Sequence, residues 1–212
     1  MFFVPIIFFS KKLCKLLTYD FFNNRLPRKF DGQARVTKID KCVTNLFKCF
    51  YFSVMQVYGF VFVLSDQPYH APSIGGEKSW NFIYKGYPYF EITPYMKYFY
   101  LVDLSYHVES WLHHVLSPPK NDFVEMFLHH LIIVVLLAGS YLTNLMNGGI
   151  PVMMVMDHAD IWIGLIRMNL DISGRKTMAL MLAGLLAQWV YIRIFVFPFE
   201  LLWYTAFDQW AL

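Results

Sequence analysis

An all-α membrane protein is the fold class this sequence predicts, and three observations predict it. Hydrophobic residues make up 57% of the chain and charged residues only 16%, with a mean hydropathy of +0.41, too apolar and too poor in charge for an ordinary soluble domain. Long apolar runs recur along the 212 residues. Each approaches the roughly 20 residues that a helix needs to cross hydrocarbon at about 1.5 Å per residue. The basic residues gather between those runs, above all before the first. The expectation is about five transmembrane helices. A basic amphipathic N-terminal segment occupies 1–42 and a transmembrane domain 43–212.

The elements follow in order. Met1 to Ser10 is apolar, but it has no preceding basic residues and no small-residue cleavage site, so it does not read as a signal peptide, and it is too short to span. Residues 11–48 carry Lys11, Lys12, Lys15, Arg25, Arg28, Lys29, Arg35, Lys38, Lys41 and Lys48 against Asp20, Asp31 and Asp40. That bias places the segment on the cytosolic side, lying along the membrane surface. The first span covers about 43–64, and the loop over 65–93, rich in Pro, Gly and aromatics, lies on the opposite side. Span two, about 94–115, brings the chain back, and a polar turn from Ser117 to Asp122 opens span three, about 123–143, with Pro119 and Asp122 as helix-start residues. Asn144 to Gly149 reads as the far-side turn. Span four, about 150–168, ends at Arg167, with Arg175 and Lys176 in the cytosolic loop beyond it. Span five, about 177–203, contains Arg193 and bends or ends near Pro198. Cys14, Cys42 and Cys49 lack metal-ligand spacing and read as free thiols. The net charge of +3 is modest, and no nucleic-acid partner is expected.

Ionisable groups in the hydrocarbon region cost roughly 2.5 to 3.5 kcal/mol each on insertion scales, so each needs a partner and is a functional candidate. Span three holds His129 and His130, and span four holds Asp157 and Asp160. His130 and Asp160 both lie roughly 10–12 Å from the cytosolic ends of their helices, so antiparallel packing of the two spans brings them together. Asp157 and Asp160 share one helix face, whereas the histidines point about 100° apart, so one faces the aspartates and the other an adjoining cavity. A histidine oriented by a carboxylate is a general base or a nucleophile. The same four residues also suit a metal, or a hydrogen-bonded polar cluster that holds two helices together. His113 and His114 read as solvated interfacial histidines. Arg193 is either a partner for the aspartates or a side chain that snorkels to the interface.

Several segments carry a resemblance. The run Asn121-Asp122-Phe123-Val124-Glu125-Met126-Phe127-Leu128-His129-His130, then Ser140-Tyr141 and Asn144, then Asp157-His158-Ala159-Asp160, resembles the signature of the ceramide synthases of the TLC-domain family. Trp80 with Gly86-Tyr87-Pro88, the run from Tyr98 to Tyr106, and Arg193 followed by Pro198 fit the same family. The resemblance implies a TLC-type helical barrel whose sixth and last helix would follow Leu212. It also implies N-acylation of a sphingoid long-chain base by a fatty acyl-CoA in the endoplasmic reticulum. On that basis His129, His130, Asp157 and Asp160 are the catalytic residues, with an acyl-imidazole intermediate, and Arg193, Lys120 and Asp122 contact substrate. Acyl-CoA is a co-substrate, and no separate cofactor or metal is implied. The implied partners are acyl-CoA, the base or another lipid, and membrane lipids. The departures are Met156 where the family has a histidine, Ala159 for a serine, Gly164 for a glutamate, Lys120-Asn121 for a basic pair, and Asn147 for a basic residue. They leave room for other readings: a non-catalytic lipid-binding or assembly subunit of a larger membrane complex, a metal-dependent lipid enzyme, and a mitochondrial location.

Overall fold

The computed structural model of the chain describes residues 3–27, 30–63, 87–89, 91–119 and 121–203, except for the side chains of residues 200 and 201. The loop expected over 65–93 falls almost wholly outside the described residues, as do Trp80, Gly86 and Lys120. Among the described residues there are six α-helices and no strand: α1 (Phe3–Arg25), α2 (Gly32–Tyr58), α3 (Pro94–Leu116), α4 (Phe123–Leu142), α5 (Met146–Asn169) and α6 (Arg175–Val190). α2 runs on into a π-helical turn at Gly59–Val63, and α6 into a longer π-helical stretch at Tyr191–Leu202. The chain therefore does not end its last helix at Pro198 but passes through it on widened turns.

Among the described residues, four helical stretches are long and apolar enough to cross a membrane: Gly32–Val63, Phe123–Leu142, Met146–Asn169 and Arg175–Phe199. The protein is an all-α integral membrane protein. The remaining expected span is α3, which has the length at 23 residues but is loaded with Lys97, Asp103, His107 and Glu109. Asp103, Ser105, His107 and Glu109 are all buried, so α3 carries its polar groups into the bundle. α4 and α6 do the opposite and turn most of their apolar surface outward. In lipid that exposure costs nothing, whereas polar groups must find partners inside.

The N-terminal third differs from its sequence reading. The apolar opening and the first part of the basic run, to Arg25, form one helix, α1, with Pro5 in the first turn, where a missing N–H is tolerated, and the rest of the run from Arg35 to Lys48 lies on α2. α1 docks on α2 and α3 through the buried Ile7 and Phe22. Lys15 pairs with Asp40 of α2 at 2.6 Å, and Lys11 pairs with the buried Glu109 of α3 while lying 5.0 Å from the centre of the Tyr106 ring.

Two antiparallel seams organise the rest. Along the α2–α5 seam, Lys38 pairs with Asp171, Lys48 with Asp160, and the Gln56 amide donates to the Met154 carbonyl at 2.7 Å. The thiols of Cys42 and Cys49, both free, donate to the carbonyls of Met168 and Ile161. Gly164 makes this closeness possible, because a Cβ there would strike the Cys49 sulfur and the Asn45 carbonyl. Along the α3–α4 seam, the Tyr100 hydroxyl bonds Ser140, Trp111 packs on Phe127 and His114 stacks on Phe123.

The connection between α4 and α5 is shorter than the expected turn over 144–149. Asn144 takes the left-handed conformation at φ 58°, and the Leu145 and Asn144 N–H groups return to the carbonyls of Ser140 and Tyr141. This is a Schellman stop with asparagine in the glycine role. Gly148 and Gly149 already belong to α5, where Gly149 leaves the space that the Tyr100 hydroxyl occupies.

Candidate functional site

The polar centre of the bundle forms where α3 crosses α5. Asp103 and His107 sit one helical turn apart on α3, so they share a face, and Asp157 of α5 approaches the same imidazole. The His107 Nε2 lies 3.5 Å from Asp103 Oδ2 and 3.9 Å from Asp157 Oδ1. Asp103 is 0% exposed, Asp157 6% and His107 7%. Neither carboxylate oxygen of Asp103, nor the His107 Nδ1, has a hydrogen-bond partner. Two carboxylates flanking one buried imidazole can orient it, hold its proton or share a cation with it.

Asp160, one turn beyond Asp157, is bound differently. Its Oδ1 accepts from Lys48 Nζ of α2 at 2.8 Å, at the point where Gly164 lets the two backbones approach. Arg193, on the π-helical stretch, is exposed, and its charge is felt at Asp157. Asp122 is exposed at the start of α4; its backbone carbonyl accepts from Met126, and its side chain makes no capping bond.

The histidine pair is split. His129 is exposed on α4, while His130 is half-buried with its Nδ1 unpartnered and enclosed. The His130 ring lies 5.5 Å from that of His129 and 6.0 Å from that of His114, and His107 and Lys48 are within electrostatic reach of it. No hydrogen bond or ion pair among the described residues joins His129 or His130 to Asp157 or Asp160. The direct meeting of spans three and four expected from depth does not occur at this level. α4 takes α3 as its main neighbour and α5 takes α2, so His107 of α3 occupies the place opposite Asp157. His114 is half-buried, and its Nε2 donates to the Phe123 carbonyl at 3.0 Å, whereas His113 is exposed.

Asp103 and His107 are the residues that the sequence reading passed over as site candidates. The signal was present. They are ionisable groups four apart inside an apolar run, subject to the same cost that singled out spans three and four. Lys48 falls at the overlap of the basic segment and the first expected span, and nothing local reveals that it meets Asp160.

The family described as TRAM/LAG1/CLN8, the TLC domain, matches residues 41–212. The sphingosine N-acyltransferase lac1 of Schizosaccharomyces pombe is 27% identical over 185 residues, covering 84% of this chain and 44% of that protein. The ceramide synthase LOH2 of Arabidopsis thaliana is 23% identical over 188 residues, covering 86% and 59% respectively. Ceramide synthase 3 of Homo sapiens is 24% identical over 174 residues, covering 82% and 43%. The chain thus spans about half the length of the curated relatives it matches. With the match running through all four apolar spans and the polar centre between them, the chain belongs to the TLC-domain family.

Proposed function

We propose that the protein is a ceramide synthase-like N-acyltransferase that joins a fatty acyl-CoA to a sphingoid long-chain base at an intramembrane His/Asp site, in the endoplasmic reticulum membrane. The observation that carries this reading is the half-buried His130 imidazole, its Nδ1 enclosed and unpartnered and within electrostatic reach of His107 of the buried Asp/His cluster, in a chain whose relatives are named for that activity.

In this mechanism an imidazole nitrogen of His130 attacks the thioester carbonyl, the carbon–sulfur bond breaks, and coenzyme A leaves as a thiolate that takes up a proton. The amine of the base then attacks the acyl-imidazole, the amide bond forms, and the imidazole is released as the nitrogen loses its proton. Asp157 and Asp160 are assigned to stabilising the imidazolium, a role that requires His130 to approach them in the substrate complex. His129, beside His130, serves proton transfer at the exposed mouth. Lys120, Asp122 and Arg193 contact the polar end of coenzyme A, and the apolar helix faces hold the acyl chain.

The test is reconstitution in lipid with an acyl-CoA and a sphingoid base. Ceramide formation that disappears in His130→Ala and persists in His113→Ala supports the reading. Well-folded protein without turnover overturns it. One observation favours a second reading, a non-catalytic lipid-binding or assembly subunit: the carboxylate of Asp160 is already engaged by Lys48, as a structural ion pair would be. Stable co-purification with other membrane subunits, without turnover, is the outcome that reading predicts.

A further inference from the structure

We propose that Asp103, His107 and Asp157 form a binding site for a divalent transition-metal ion, Zn2+ in the first instance, which ties α3 to α5 in the middle of the bundle. The donor atoms of the three residues, one from each, lie within 4.8 Å of one another, and all three residues are buried.

Charge is the first argument. Two ionised carboxylates and a neutral imidazole carry a charge of about −2 that a divalent cation cancels, whereas without a cation burial in lipid favours the protonated acids. The nearby protein cations act on Asp157 only through space. Lys48 is committed to Asp160, and Arg193 is exposed. Among the described residues His107 is the one basic side chain in direct contact with either carboxylate, and a single proton on it leaves one negative charge over when both are ionised.

Geometry is the second. The separations of 3.5 and 3.9 Å from His107 Nε2 to the two carboxylates are too long for hydrogen bonds. They are close to the edge of a coordination tetrahedron, which at bond lengths of about 2.0–2.1 Å is roughly 3.3 Å. Asp103 Oδ2 faces His107 Nε2 at 3.5 Å, and neither oxygen of this wholly enclosed carboxylate has a hydrogen bond of normal geometry. A mixed set of one imidazole and two carboxylates suits zinc and its neighbours rather than magnesium or calcium, which prefer oxygen alone. Three protein ligands leave a fourth position for water.

Metal content is measured on the full chain, purified in detergent without a histidine tag or chelator. About one Zn2+ per chain is expected, falling at least about tenfold in Asp103→Asn and His107→Gln. On the wild-type protein alone, chelation should lower the Tm, Zn2+ should restore it, and Co2+ should give visible d–d bands. These readouts need neither the variants to fold nor the protein to be active, so they stand apart from the acyl-transfer assay. Wild-type protein that holds no metal and whose Tm does not respond to Zn2+ overturns the site, leaving a cluster that shares protons instead. Equal metal content in well-folded variants also overturns it.

Discussion

Lys48 of α2 holds the Asp160 carboxylate of α5 at 2.8 Å, linking the segment that reads as a basic leader to the segment that reads as the acidic half of the site. Lys48→Met should therefore act on the polar centre and not only on the N-terminal third. Each partner retains somewhat over a quarter of its exposure, so solvent screens the pair, and the loss should be about 1–2 kcal/mol, less than for a fully enclosed pair. Thermal unfolding in detergent, with Asp160→Asn and the double variant completing a cycle, measures the coupling. A double variant as destabilised as the sum of the singles would show no interaction.

Gly164 should resist enlargement. A side chain there meets the Cys49 sulfur and the Asn45 carbonyl, so Gly164→Leu should separate α2 from α5 and cost about 1–3 kcal/mol. Gly139 on α4 faces open space, and Gly139→Ala should be neutral or stabilise by up to about 1 kcal/mol through helix propensity. Parallel Tm measurements on the two variants test the contrast.

His129 and His130 should separate in function. If acyl transfer runs through His130, His130→Ala should reduce kcat by about 1000-fold or more, in line with loss of a nucleophile. His129→Ala, at the exposed position, should leave measurable turnover. Steady-state kinetics in nanodiscs decide this, and equal losses in the two variants would contradict the split.

The Tyr100 hydroxyl and Ser140 bridge α3 to α4. Tyr100→Phe should cost about 1 kcal/mol, and Ser140→Ala should add little on top of it, because each removes the same bond. The pair is read by denaturation of the two single variants and the double.

The cysteines should differ in reactivity. Cys14 is partly exposed on α1, while Cys42 and Cys49 are buried against α5 at 5% and 7% exposure. Maleimide should therefore label Cys14 first. Burial raises the Cys14 thiol above its ordinary range, with the Thr18 contact opposing it more weakly, so its alkylation rate should keep climbing past the pH at which an unperturbed thiol levels off. A rate that levels off at the ordinary thiol pKa would contradict this. Mass spectrometry of the labelled peptides over a pH series supplies the measurement.

The sequence by itself determined the solvent of this protein and the approximate course of its helices, because hydropathy over some 20 residues is a local property that lipid reads directly. It also determined that His130, Asp157 and Asp160 must be paired or used, since a buried charge carries its cost wherever it lies. Partner choice was another matter. Depth along a helix axis says nothing about which helix stands alongside, and a three-residue turn after α4 did not make α5 its chief neighbour. Only the tertiary structure decided that α3 would place His107 opposite Asp157, that Lys48 would come to Asp160, and that the small residue at Gly164 would let it do so. Those contacts depend on the rotation and order of helices around the bundle, which close packing of distant residues sets and no local periodicity encodes.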